Sequence, residues 1–266
     1  MADTSMVASE HAIDVWLAFY DEIVDERLLL TLHGLLSEAE RHRQQRFHFA
    51  DDRKRDLVTR AMVRTVLSRY SAVAPADWAF SANAYGRPEI ANRHDDACGL
   101  SFNVSHTRGL IALGVTRHRA LGVDVEHVSA RQVAVAIADR FFSPTEVEAL
   151  SRVPPERWQD RFFEYWTFKE SYIKARGMGL SIPLDRFSFH YPHERAVRIA
   201  IEPGLDDDAG RWSFWQCRPM PEYLLAICAE RLDMAPPRLT FRKLVPSATD
   251  ELLELRLLKT SEPYAR

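Results

Sequence analysis

The sequence predicts an α+β fold made of two similar halves, and three observations carry that prediction. Apolar residues alternate at Ile13, Val15, Leu17 and Phe19, the period-2 sign of a strand, and Leu121, Val123 and Val125 repeat the alternation. Two capping boxes stand 106 positions apart, Ser37 with Glu40 and Ser143 with Glu146. Each box precedes a long helical pattern, over residues 52–71 in one half and 155–176 in the other.

In chain order, the first strand covers residues 13–19 and the first capping box opens a short helix. Leu57, Ala61, Val63, Leu67 and Tyr70 give the first long helix its apolar spacing. Strands follow at 78–82, 100–104 and 110–115, with a turn at Tyr85, Gly86, Arg87 and Pro88. The second half repeats the order: strand 119–125, the second box with Pro144 at the favoured first helical position, then the helix 155–176. Its strands are expected at 187–191, 212–216 and 224–229. Both halves therefore read strand, short helix, long helix and three strands, with boundaries at 1–118 and 119–232. The remaining residues, 233–266, form a tail past Pro236 and Pro237, in which 250–259 is expected as one amphipathic helix. At about 150 residues per domain, 266 residues give about 1.8 domains, which suits two halves that act as one unit.

Hydrophobic residues make up 46% and charged residues 27%, which excludes a disordered, collagen-like or coiled-coil chain. No apolar run approaches the ~20 residues of a membrane span. Residues 1–14 lack the basic start and apolar core of a secretory signal. Three cysteines (Cys98, Cys217 and Cys228) without metal-ligand spacing point to the reducing cytoplasm, where they serve as small apolar residues. The net charge of −3 hides an uneven distribution: residues 41–69 hold nine Arg or Lys against Asp51, Asp52 and Asp56. Such a segment is either a solvated helix face or a patch for a polyanion, nucleic acid or polyphosphate cofactor.

Asp124 and Glu126 lie two apart on a strand, so both point to one face while Val123 and Val125 point into the core. They are either solvated acids or ligands for a hard divalent cation such as Mg²⁺. Glu170 and Lys174 lie four apart on a helix otherwise rich in Phe, Tyr and Trp. Lys169, Glu170 and Lys174 on so apolar a helix need partners or a cleft. Gly177 and Gly179 end that helix. Ser105 and His106 end a strand, either as structural residues or as phosphate contacts, and no G-x-S-x-G elbow accompanies them. Glu146 reads as a capping-box residue rather than a third ligand.

GVDVEHV at 122–128 followed by WTFKESYIK at 166–174 resembles the paired signature of the 4'-phosphopantetheinyl transferases. YGRP at 85–88, FNVSH at 102–106, RFFSPTE at 140–146 and GMGLSIPL at 177–184 resemble the surfactin-synthetase-activating (Sfp) single-chain type. The resemblance implies a pseudo-two-fold fold with its active site between the halves. It implies transfer of the 4'-phosphopantetheine arm of coenzyme A to a serine of an apo acyl or peptidyl carrier protein. By resemblance, Asp124, Glu126 and Glu170 hold Mg²⁺, with Mn²⁺ possible, and Glu170 and Lys174 are catalytic. Arg43, Arg55, Arg87, Ser105, His106, Lys169 and Lys174 contact coenzyme A. By the same resemblance a family lysine is replaced by Glu40, so either Arg41 substitutes for it or that contact is missing. The segment after Gly177, with Arg176, Met178, Leu180 and Ile182, is expected to dock the carrier. The implied protein is a cytoplasmic monomer with no nucleic-acid or membrane partner. The alternatives are an inactive coenzyme A binder, or a nucleic-acid binder using residues 41–69.

Overall fold

The computed structural model describes residues 11–130, 132–232 and 236–261. The first ten residues, including most of the stretch read against a secretory signal, lie outside the described residues. The first half comprises β1 (Ala12–Phe19), α1 (Glu26–Gly34), α2 (Glu38–Gln44), α3 (Ala50–Leu67), β2 (Phe80–Ala82), β3 (Pro88–Ile90), β4 (Leu100–His106) and β5 (Leu110–Arg117). The second comprises β6 (Leu121–His127), α4 (Val135–Phe141), α5 (Pro144–Ser151), α6 (Pro155–Arg176), β7 (Phe187–His190), β8 (Arg198–Ile201), β9 (Trp212–Cys217) and β10 (Tyr223–Glu230). Three more strands follow: β11 (Arg238–Val245), β12 (Thr249–Leu253) and β13 (Leu257–Thr260). Among the described residues, no helix is long and apolar enough to cross a membrane.

Strand pairing repeats between the halves. β1 runs antiparallel to β5, and β5 to β4. β6 runs antiparallel to β10, and β10 to β9. In each half the first strand pairs with the last and the last with the one before it. The minor hairpins β2–β3 and β7–β8 occupy matching places in the order.

The predicted capping boxes form in full, with Ser37 and Ser143 each accepting from the backbone N–H three residues on. Their glutamates repeat a further device. Glu40 Oε2 lies 2.7 Å from the Arg64 guanidinium on α3. Glu146 Oε2 lies 2.7 Å from Lys169 Nζ on α6. Both cations are buried, and each also donates to backbone carbonyls downstream: Arg64 to Pro75, Ala76 and Trp78, Lys169 to Leu184 and Phe187. A buried cation is tolerated when its donors are satisfied in this way.

Three apolar clusters build the layers. α3 covers the outer face of the first sheet, through Val58, Met62 and Val66 against Trp16, Ile111 and Leu113. α6 covers the second, through Phe168 and Tyr172 against Phe214, Leu224 and Ala226. Between the sheets, Ile13, Val15 and Leu17 meet Leu121, Val123, Val125, Leu225 and Ile227. Each such fully buried aliphatic side chain contributes about 1.5–3 kcal/mol.

Several expectations need correction. α3 runs over 50–67 rather than 52–71, and β2 starts at Phe80 because a 3-10 turn holds Pro75–Asp77. Helices α1 and α4 and strands β3, β8 and β11 went unanticipated; α1 is announced only by Asp25, whose carboxylate accepts from Arg27 N and Leu28 N. The segment 250–259 is no helix, because its leucines suit strand spacing as well and two sheet edges lie open to it. β12 pairs with β11, which runs parallel to β1, while β13 pairs with β9. The tail therefore completes both sheets instead of standing apart. Cys98 is exposed, while Cys217 and Cys228 are the buried thiols expected.

Gly122 lets β6 lie directly against α6. A Cβ there would sit 2.0 Å from the Ser171 carbonyl oxygen and 2.4 Å from the Ala175 nitrogen, both backbone atoms. Gly122→Ala is expected to cost about 3 kcal/mol or more, read as a lower urea midpoint. Lys169→Met leaves Glu146 buried and uncompensated, and is expected to cost about 3–5 kcal/mol in the same measurement.

Candidate active site

β4 and β6 are edge strands of different sheets, yet they lie side by side. Side chains join them where a main-chain ladder would otherwise run. Asn103 Oδ1 accepts from Val123 N at 2.8 Å, Ser105 Oγ from Val125 N at 3.3 Å, and Thr107 Oγ1 from His127 N at 3.2 Å. Residues two apart share one side of a strand, so this polar row is a consequence of the period. Ser105 Oγ also donates to Asp124 Oδ1 at 3.0 Å.

Helix α6 presents Trp166, Glu170 and Lys174 to the same place, because residues four apart share a face. Trp166 Nε1 donates to Glu126 Oε1 at 3.1 Å. Lys174 Nζ donates to Asp124 Oδ1 at 2.6 Å and to Ser105 Oγ at 3.0 Å. Burial, and then the negative charge of Asp124, push the Glu170 carboxyl up to about 7, against the opposing pull of Lys174. Among the described residues, no group of three or more His, Cys, Asp or Glu is arranged to hold a metal ion. The expected trio is not drawn together, since Trp166 holds Glu126 and Lys174 holds Asp124. Its chemistry nevertheless fits a hard cation: Asp124 Oδ2 is buried without a hydrogen-bond partner, and Glu170 is close enough to repel it.

A cleft of about 500 Å³ opens above this point. One wall is a stripe of α3, residues Asp52, Arg55, Asp56, Thr59, Arg60 and Val63, at spacings of three and four. Arg43 enters from α2 without a carboxylate partner among the described residues. Phe47, Phe80, Pro88, Phe102 and Val104 form an apolar side suited to a planar ring. Ser105, His106, Asp124, Glu126 and Lys174 line the remainder. His106 is solvent-accessible but walled by the cleft; that desolvation, then the charge of Arg55, holds its pKa below the ordinary histidine value. The stripe on α3 was legible as periodicity, but only Arg55 of it was singled out. The apolar side was not legible, since its residues come from separate elements.

Two residues expected at coenzyme A are engaged elsewhere. Lys169 is fully buried on Glu146 and two carbonyls, so no phosphate reaches it. Arg87 does not line the cleft; its guanidinium donates to the backbone oxygens of Lys174, Ala175 and Leu121. Arg41 does not substitute at Glu40, because it donates to the Leu36 carbonyl. Of the expected docking set, Ile182 is buried and Arg176 pairs with Asp207 at 2.8 Å, while Leu180 is 72% exposed.

The basic segment is also narrower than its charge suggests. Arg53 donates to the Phe47 and His48 carbonyls, Lys54 to the Asp21 carbonyl, and Arg69 pairs with Asp250. Arg64 is buried on Glu40. Only Arg43, Arg55 and Arg60 of the nine line the cleft.

Known proteins are similar in sequence over most of the chain. A family model described as the 4'-phosphopantetheinyl transferase superfamily matches residues 120–228. One described as 4'-phosphopantetheinyl transferase, N-terminal, matches residues 25–117. The chain is 36% identical over 205 residues to the 4'-phosphopantetheinyl transferase HetI of Nostoc sp., covering 76% of this chain and 81% of that protein. It is 34% identical over 202 residues to the 4'-phosphopantetheinyl transferase ffp of Bacillus subtilis, covering 76% and 85%. It is 32% identical over 200 residues to the 4'-phosphopantetheinyl transferase Sfp of Bacillus subtilis (strain 168), covering 75% and 84%. With both halves matched and relatives of this identity spanning three quarters of its length, the chain belongs to the 4'-phosphopantetheinyl transferase family.

Proposed function

We propose that this protein transfers the 4'-phosphopantetheine arm of coenzyme A to a serine hydroxyl of an apo acyl or peptidyl carrier protein, releasing adenosine 3',5'-bisphosphate. The observation that carries the reading is the meeting of Lys174, Asp124 and Ser105 at the foot of a cleft lined by Arg43, Arg55, Arg60 and His106. Cations from the first half face acids from the second, as a bound polyanion requires. The apolar side of Phe80, Pro88 and Phe102 suits a purine ring.

Asp124, Glu126 and Glu170 would hold Mg²⁺, or Mn²⁺. When bound, such an ion supplies charge neutralisation at the pyrophosphate. Arg43, Arg55 and His106 would bind the nucleotide phosphates, and Ser105 would orient the pyrophosphate beside Lys174. Glu170 would take the proton from the carrier serine as its oxygen attacks the β-phosphorus. A carboxyl titrating near neutrality suits that task. Lys174 would stabilise charge on the leaving phosphate as the phosphorus–oxygen bond to the nucleotide breaks. Transfer of this kind depends on positioning and charge more than on covalent intermediates.

The direct test incubates the protein with coenzyme A, Mg²⁺ and a panel of apo carrier proteins. The expected product is carrier heavier by about 340 Da, the mass of one arm. No gain on any carrier, from folded protein that binds coenzyme A, removes the proposal. Glu170→Gln is expected to lower kcat by about 10²–10⁴-fold with an unchanged melting temperature; near wild-type turnover would show that another group takes the proton. His106 supplies a third outcome. Its depressed pKa leaves the ring neutral in the free protein at neutral pH, and a bound polyanion favours the charged form. The His106 ring resonance is therefore expected to titrate at higher pH with coenzyme A than without. An unchanged or lowered midpoint would place the phosphates elsewhere.

A further inference from the structure

Arg87 lies in the turn of the β2–β3 hairpin, in the first half, but its side chain ends in the second. Nη1 donates to the Lys174 and Ala175 carbonyls, both at 3.1 Å, and Nη2 to the Leu121 carbonyl at 3.3 Å. Lys174 and Ala175 belong to the last turn of α6, where carbonyls lose their i+4 partners; the Lys174 carbonyl also accepts from Gly177 N at 3.1 Å. Leu121 is the first residue of β6. One guanidinium thus ties together the helix that carries Glu170 and Lys174 and the strand that carries Asp124 and Glu126.

The turn is built to hold it there. Asn83 Oδ1 accepts from Tyr85 N at 2.9 Å and Arg87 N at 3.0 Å, which closes the loop on itself. Asn83 Nδ2 then donates to the Gly177 carbonyl at 2.8 Å. Gly177 ends α6 at φ 69°, and a Cβ there would lie 3.2 Å from Arg87 Nη1 and 3.4 Å from Asn83 Nδ2. The helix end has both the conformation and the room that the hairpin needs. A fixed positive charge at a helix C-terminus also complements the macrodipole.

We infer that Arg87 is a positioning residue: with Asn83 it caps helix α6 from the opposite half and sets Lys174 and Glu170 against Asp124, rather than binding coenzyme A. The inference rests on the transferase reading for what is positioned, but the cap itself is testable without turnover. Small displacements of reacting groups cost about 10–100-fold in rate, and kcat is where such a loss falls.

The test compares Arg87→Gln, Arg87→Lys and Asn83→Ala with the unaltered protein. Calorimetry gives coenzyme A affinity, hydrogen exchange gives protection of the 174–179 amides, and carrier modification gives kcat. For Arg87→Gln we expect affinity within about twofold, faster exchange at 174–179, and kcat lower by about tenfold or more. Asn83→Ala is expected to show the same pattern more weakly, and Arg87→Lys, which keeps a cation at the helix end, to recover part of kcat. A coenzyme A affinity that falls tenfold while exchange and saturating kcat stay unchanged would overturn the inference and make Arg87 a ligand. If Arg87→Gln does not fold, the other two variants decide by the same criteria. If the unaltered protein modifies no carrier, the transferase reading fails alone, and affinity against exchange still decides the cap.

Discussion

The contact of Lys174 with Asp124 and Ser105 is the point on which the rest of the site depends. It joins three elements, α6, β6 and β4, and β4 belongs to the other half. Asp124 has almost no solvent access, so its charge needs a compensating partner. Lys174 provides one at one oxygen, and the second oxygen stays without a hydrogen bond. Glu170, a turn earlier on the helix, resists ionisation first because it is buried and then because it feels the same negative charge. Helix, strand and neighbouring edge strand must therefore be in register before the local charge is tolerable. The side-chain row of Asn103, Ser105 and Thr107 supplies that register without a main-chain ladder.

The two halves use one plan and diverge at a few positions. In each, a capping-box glutamate holds a buried cation of the long helix, and that cation gathers the carbonyls that follow. Arg64 and Lys169 are counterparts in this sense, which accounts for a lysine that resembles an active-site residue in sequence and is a bolt in the structure. Divergence lies on the exposed side of each long helix. α3 turns a charged stripe to the cleft, and α6 brings Lys174 into it, with Trp166 held on Glu126, which also lines it. Residues of both halves thus line one cleft.

Most of this was legible wherever a local rule was sufficient. The capping boxes are three-residue patterns, and α6 runs over 155–176 as its spacing predicts. Asp124 and Glu126 share a face because a strand has period 2. What sequence could not carry was the partner of each charge. Lys169 and Lys174 lie on one helix five positions apart, yet one is fully buried on Glu146 and the other reaches Asp124. Nothing within the helix separates them; only the facing elements do. The partners of Arg87 were illegible for the same reason, being carbonyls of residues 34 to 88 positions away. The tail failed differently: leucines that fit a helix also fit a strand, and two open sheet edges decided the matter.

Charge arithmetic on the 41–69 segment suggested a strongly positive surface, and the folded cleft is close to balanced. Arg43, Arg55, Arg60 and Lys174 line it together with Glu40, Asp52, Asp56, Asp124 and Glu126. The arginines that pair with these acids do so while partly exposed: Arg55 with Asp52 at 2.6 Å, Arg60 with Asp56 at 3.4 Å. The Arg55–Asp52 pair, partly open to solvent on both sides, is worth about 0–1 kcal/mol, whereas Asp56 is nearly buried with Oδ2 already unpartnered. The pairing also fixes where each guanidinium stands before a ligand arrives, which lowers the ordering entropy on binding. A compact polyanion with phosphates at the right separations exchanges an internal pair for a stronger, charge-assisted one. The segment that reads as a basic patch in sequence is, once folded, interleaved with acids where it lines the cleft.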